Sequence, residues 1–214
     1  MEQTLDLTNI HAVLFDMDGT MVDNTAYHKK AWEEFYKRHH MEFSDEDFRV
    51  KFSGKNNKQI FQMIFGEDIF DEEVNKFADE KESLYRELYA PYIKPIDGLL
   101  EFIEKLKQKG IKIAVATTAI KENRDFILNA LKLNNTFDAI IGYEDVAKGK
   151  PDPEIFLKAA TALNVKPETC IVFDDAPSGI EAAKRVGMKT VGLLTSHTKE
   201  ELNADNTIID FQLL

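Results

Sequence analysis

The nonapeptide Ala12-Val13-Leu14-Phe15-Asp16-Met17-Asp18-Gly19-Thr20 joins four apolar residues to two carboxylates two positions apart. The apolar run predicts a fully buried strand, as found inside a parallel sheet. In an open α/β sheet, ligands bind outside the carboxyl ends of the strands. Asp16 and Asp18 are thereby placed at such a mouth. Gly19, which has no Cβ, lets the backbone turn away sharply behind them.

Outward from this strand the pattern changes character twice. From Asn24 to His40 the residues Tyr27, Ala31, Trp32, Phe35 and Tyr36 recur at helical spacing and mark one face. Ser44 before Asp45-Glu46-Asp47 reads as a helix start, the serine capping and the acids filling the first turn. Gly54 breaks the pattern, and Lys58 to Phe65 and Asp71 to Tyr89 are again helical, the latter with Val74, Phe77, Ala78, Leu84, Tyr85 and Leu88 as its apolar positions. Pro91 and Pro95 suit a rigid linker. From Gly98 onward strands alternate with helices: strands are expected at Ile111–Ala116, Phe137–Ile141, Thr169–Phe173, Lys189–Leu194 and Thr207–Ile209. Such alternation implies βαβ units. The fold expected is α/β: a Rossmann-like, doubly wound parallel sheet core from residues 1–22 and 92–214, interrupted by an all-helical cap domain, residues 23–91.

Four strand ends carry groups suited to phosphate chemistry, which needs a nucleophile, an acid for the leaving group and cations for the transferring oxygens. Asp16 is the candidate nucleophile. Asp18 is placed to protonate the leaving oxygen and then deprotonate the incoming water or hydroxyl. The bland alternative is a turn in which both acids make Asx bonds. Thr117 and Thr118 end the second strand, where a hydroxyl beside a helix N-terminus can hold a phosphate oxygen; an ST-turn is the competing reading. In Gly149-Lys150-Pro151-Asp152-Pro153 the proline restricts Lys150 to extended backbone and so aims its side chain. The fourth strand ends in Asp174-Asp175, hard oxygen ligands of the type Mg²⁺ takes, although Pro177 behind them also suits a helix cap.

In their order and their placement at strand ends, DxDGT (Asp16 to Thr20), Thr117, Lys150 in GKPDPE and Asp174-Asp175 resemble the haloacid dehalogenase superfamily, mostly phosphoryl-transfer enzymes. The resemblance implies an aspartyl-phosphate on Asp16, a role for Lys150 in neutralising both phosphate and Asp16, and a metal site formed by Asp16, the backbone carbonyl of Asp18, Asp175 directly and Asp174 at longer range. Asp23-Asn24-Thr25-Ala26-Tyr27-His28 followed by Ala31-Trp32 resembles the β-phosphoglucomutase-like subgroup, in which His28 would sit at the hinge. The same subgroup reads substrate through Ser53-Gly54-Lys55-Asn56-Asn57-Lys58, which makes Lys55 and Asn57 candidate substrate contacts beside His28. True β-phosphoglucomutases carry a Ser-Arg pair where this chain has Asn56-Asn57, and an amide does not replace a bidentate guanidinium on phosphate. Ala119 stands where the mutases often have a hydroxyl. These departures favour a Mg²⁺-dependent phosphatase of sugar phosphates or similar small metabolites, including pyrophosphate, over a hexose phosphate phosphomutase. A receiver domain, the non-enzymatic alternative, is about 120 residues without an insert, and its acidic pair ends the first strand rather than a late one.

Composition narrows the class further. A net charge of −11 argues against nucleic acid or an anionic membrane as partner. The single cysteine, Cys170, lies in an apolar stretch and reads as a buried strand residue rather than a nucleophile. One cysteine excludes an internal disulfide, consistent with a reducing compartment. Met1 to Asn9 shows no signal-peptide pattern and no apolar run approaches the ~18 residues of a membrane span, so a cytoplasmic monomer acting on a small phosphorylated metabolite is expected.

Overall fold

A computed structural model of the chain describes residues 5–52 and 55–214. Strand β1 (Ala12–Phe15) is buried along its whole length. Contacts within the chain then divide it into two units, the described residues up to Asp23 with Lys94–Leu214, and Asn24–Ile93.

Among the described residues the regular elements of the second unit are helical: α1 (Thr25–Arg38), the single turn α2 (Asp45–Asp47), a π-helical turn at Phe48–Phe52, α3 (Asn57–Phe65) and α4 (Asp71–Tyr89). Ser44 caps α2 by accepting a hydrogen bond from Asp47 N, as its position before three acids suggests. The aromatic stripe of α1 packs Trp32 and Phe35 with Phe52, Ile60, Phe61 and Val74. The stripe of α4 departs from the sequence expectation. Leu88 is 37% exposed, whereas Lys81 and Glu82 are buried at 3% and 4%. Their positions continue the three-and-four spacing between Val74 and Tyr85, so the two charges face inward and pair with each other at 2.9 Å. Gly54, expected to interrupt the helices, and Ser53 lie outside the described residues.

The other unit continues with α5 (Leu99–Gln108), β2 (Lys112–Ala116), α6 (Lys121–Ala130), β3 (Ala139–Ile141), α7 (Glu154–Ala162), β4 (Cys170–Asp174), α8 (Pro177–Arg185), β5 (Lys189–Leu193), α9 (Lys199–Leu202) and β6 (Asn206–Ile208). The six strands are parallel in the order β3-β2-β1-β4-β5-β6, the doubly wound Rossmann arrangement. Period-2 alternation assigns the faces. Ala12, Leu14, Cys170 and Val172 meet Ile155 and Phe156 of α7 and Ala182 and Ala183 of α8. On the opposite side Phe15 and Phe173 stack at 5.4 Å and gather Phe102 of α5 and Phe211. Strand β3 is shorter than its apolar run because Asp138 Oδ2 takes the Ile113 N–H at 2.8 Å. No helix among the described residues is long and apolar enough to cross a membrane.

Candidate active site

The strand order reverses between β1 and β4, and this is where an open α/β sheet forms its crevice. The two strands pair from Ala12↔Cys170 to Phe15↔Phe173, and Asp16 N extends the pairing to Phe173 O at 2.9 Å. By parity Asp16 follows Ala12 and Leu14 on the face that Cys170, Val172 and Asp174 share. The two carboxylates therefore emerge side by side. Lys150 answers both, its Nζ donating to Asp16 Oδ1 and to Asp174 Oδ2, each at 2.7 Å. Only 3% of Lys150 is exposed, and its ammonium lies 5.3 Å above the Phe156 ring of α7. Lys148, two residues earlier, is a solvated side chain near Asp152.

Asp174 also serves the start of α8, since its Oδ1 accepts from Ala176 N at 2.9 Å. Asp175 has the opposite parity and turns toward the loop that follows β1. That loop is a tight turn: Gly19 N donates to Val22 O and Met21 N to Met17 O, both at 2.8 Å. Gly19 has φ +72°, and a Cβ there would come within 2.1 Å of Asp175 Oδ2, so both conformation and space demand glycine. Asp18 is half-buried on this turn, and the Thr20 hydroxyl is buried with no hydrogen-bond partner among the described residues.

Asp16, Asp174 and Asp175 each offer an oxygen within 4.8 Å of the other two. Ionised together, the three carboxylates would exceed the Lys150 ammonium by two negative charges in a buried place among the described residues. Buried charges are costly unless paired or coordinated. An all-oxygen set of this kind suits a hard divalent cation. The electrostatics agree. Burial, helped by Asp174 and Asp18 and opposed by Lys150, lifts the Asp16 carboxyl to about 7. Burial, then Asp174 and Asp16, hold Asp175 well above the usual carboxylate range. Burial works against the charge on Lys150, but Asp16 and Asp174 outweigh it and keep the lysine protonated.

Thr117 directly follows β2, 1% exposed, with its Oγ1 accepting from Ala119 N at 3.3 Å. The ST-turn is thus present, and the hydroxyl hydrogen remains for another acceptor. Thr118 is half-buried in the same loop. Arg124 of α6 fixes the loop from behind, donating through Nη1 to Ala119 O at 2.9 Å and Glu144 Oε2 at 2.7 Å.

His28, Lys55 and Asn57 belong to the helical unit. His28 stacks flat on Tyr85 at 3.8 Å, with Nδ1 2.9 Å from Lys81 Nζ. Asn56 caps α3 in a reciprocal box with Gln59, and Asn57 Nδ2 donates to Glu82 Oε1 at 2.9 Å. Lys55 is half-buried, and Lys58 pairs with Asp71 at 2.7 Å.

Residues 13–193 match the sequence family described as haloacid dehalogenase-like hydrolase. The chain belongs to that family. It is similar to a validoxylamine A 7'-phosphate phosphatase of Streptomyces hygroscopicus subsp. limoneus, 34% identical with 88% of each chain covered. It is also similar to the β-phosphoglucomutase of Bacillus subtilis, 33% identical over 85% of this chain and 82% of that one. A crystal structure of a β-phosphoglucomutase from Clostridium difficile superposes with a TM-score of 0.86 at 27% identity, covering 96% and 93% of the two chains.

In this haloacid dehalogenase-like hydrolase, Asp16, Lys150, Asp174 and Asp175 form one buried cluster, with Asp18 and Thr117 on strand-end loops of the same sheet. Sequence reasoning missed two contributors to this cluster. Thr195 Oγ1 donates to Gly19 O at 2.6 Å, and Ser196 Oγ donates to Asp175 Oδ2. Their signal was positional, since they follow β5, one strand beyond β4. Within the helical unit the buried pair Lys81 and Glu82 also escaped sequence reasoning, although it left a clearer trace, filling stripe positions where α4 has no apolar residue.

Proposed function

We propose that this chain is a Mg²⁺-dependent phosphatase of small phosphorylated metabolites, sugar phosphates first among them, working through an aspartyl-phosphate on Asp16. The observation that carries the reading is Lys150, buried and held 2.7 Å from both Asp16 and Asp174. Lys150 occupies Asp16 Oδ1 and leaves Oδ2 to attack phosphorus. As the ester bond breaks, Asp18 gives its proton to the leaving oxygen. Asp18 then takes a proton from water, whose oxygen attacks the same phosphorus, releases phosphate and restores the Asp16 carboxylate. Thr117 donates its free hydroxyl hydrogen to a phosphate oxygen, with Thr118 beside it. Asp16, the Asp18 carbonyl, Asp175 and, at longer range, Asp174 are the groups that would hold Mg²⁺, which supplies charge neutralisation on the transferring oxygens. Residues 23–91 act as a cap, with His28, Lys55 and Asn57 as its substrate-facing candidates.

The phosphatase reading is preferred to a mutase because Asn56, which caps α3, and Asn57, which gives one Nδ2 hydrogen to Glu82, are both amides. Neither presents a guanidinium to a second phosphate. The named activities of the phosphatase relatives support the same class. Phosphorus NMR with Mg²⁺ and parallel tubes of β-glucose 1-phosphate with a trace of glucose 1,6-bisphosphate, other sugar phosphates and pyrophosphate tests it. Inorganic phosphate should accumulate and should stop on adding EDTA or with Asp16→Asn. Clean conversion to glucose 6-phosphate without free phosphate would overturn the reading in favour of the mutase.

A further inference from the structure

The loop after β5 makes more contacts with the candidate metal centre than its distance in sequence suggests. Ser196 Oγ lies within hydrogen-bond reach of Asp175 Oδ2, of Asp175 O at 3.1 Å and of His197 Nδ1 at 2.9 Å; His197 Nδ1 is also 3.0 Å from Asp175 O. A serine carries one hydrogen, and a carboxylate ionised to take a cation only accepts. The Ser196 hydrogen therefore goes to Asp175 Oδ2, and Ser196 Oγ accepts from His197 Nδ1–H, which faces the Asp175 carbonyl as well. One residue earlier, Thr195 Oγ1 donates to Gly19 O at 2.6 Å. Gly19 is the residue against which the Asp175 carboxylate packs.

We propose that Thr195-Ser196-His197 is a positioning strap that sets the divalent-cation affinity of the centre, by fixing Asp175 and tying its loop to the turn that carries Asp18. The proposal rests on the metal-dependent reading above. With Oδ2 held by Ser196, Asp175 presents Oδ1 in one orientation. Without the hydroxyl the carboxylate regains its rotation, and binding a cation must first order it. Outer hydrogen-bond partners of metal ligands are commonly worth ~10–100-fold in metal affinity, so Ser196→Ala should weaken the cation within that range.

The test is titration of the metal-free protein with Mn²⁺, free Mn²⁺ being read by electron paramagnetic resonance, with Mg²⁺ as competitor and circular dichroism as the check on folding. Ser196→Ala should bind ~10–100-fold more weakly. Ser196→Thr, which keeps the hydroxyl, should return most of that affinity, and Thr195→Val should weaken binding severalfold. Asp175→Asn separates the two readings. If it binds Mn²⁺ as the unmodified protein does, the metal centre is misassigned and the strap falls with it. If it is weakened while Ser196→Ala binds normally, the strap alone is overturned. Equal weakening by Ser196→Ala and Ser196→Thr also overturns it, because the hydroxyl would then not be the agent. Should Ser196→Ala not fold, unchanged affinity in Thr195→Val overturns it.

Discussion

Replacing Lys150 by Met separates the electrostatic work of the lysine from its packing. Methionine keeps an unbranched stem near Phe156 and removes only the ammonium. Asp16, Asp174 and Asp175 then face one another without a cation, all within 4.8 Å. Removing one partner of a buried pair costs about 3–5 kcal/mol because the other charge is left uncompensated. In a chain of this size each kcal/mol moves the melting temperature by ~2–4 °C, so metal-free Lys150→Met should melt ~6–20 °C below the unmodified protein near pH 8. The deficit should depend on pH in one direction. Acids whose native pKa lies above the unfolded value bind more protons when folded, so they favour the native state at low pH and lose that advantage as pH rises. Asp16 already stands near 7 and Asp175 is raised, and removing Lys150 pushes both further up. Near pH 5 the raised Asp16 and Asp175 carry less negative charge than near pH 8, and the missing ammonium matters less. Scanning calorimetry in EDTA near pH 5 and near pH 8 measures both quantities. An equal deficit at the two pH values, or one under ~2 °C near pH 8, would refute the electrostatic reasoning and leave Lys150 a packing residue.

Metal removal should act in the same window. Metal-free protein should lose stability as pH rises from about 4 to about 7, through the raised Asp16 and Asp175. Because a cation needs the carboxylates ionised, the melting-temperature gain on adding saturating Mg²⁺ should be larger near pH 8 than near pH 5. Arg124→Ala removes the donor shared by Ala119 O and Glu144 and should cost about 1–2 kcal/mol, discounted for the exposure of Glu144. Since the loop it holds carries Thr117, urea melts should be accompanied by a raised KM for p-nitrophenyl phosphate. Gly142→Ala should reproduce that phenotype, because a Cβ at Gly142 would lie 1.6 Å from Arg124 Nη1; an unchanged KM in both variants would count against the clamp. In the helical unit, Lys81→Met alone should cost about 3–5 kcal/mol by taking the cation away from the buried Glu82 charge, whereas Lys81→Met with Glu82→Gln, which keeps an acceptor for Asn57 Nδ2, should recover most of it.

What the sequence reveals and what it hides divides along a physical line. Strand β1, the helices of the alternating region and the positions of Asp16, Lys150, Asp174 and Asp175 are legible because each is a local pattern. An apolar run must be buried, a glycine with positive φ must turn, and adjacent acids must end a strand. The pairing of Asp16 with Asp174 is not local. It follows only from the register Phe15↔Phe173 and from parity, which together bring residues far apart in the chain onto one face. Strand order works the same way on Thr195 and Ser196. Nothing in Leu194-Thr195-Ser196-His197 marks it as different from any polar loop. It becomes part of the centre because β5 lies beside β4, so its carboxyl end opens next to Asp175. Residues that perform chemistry are constrained by their own type and leave motifs. Residues that position them need only a hydroxyl or a guanidinium at the right strand end, so topology has to be known before they can be found.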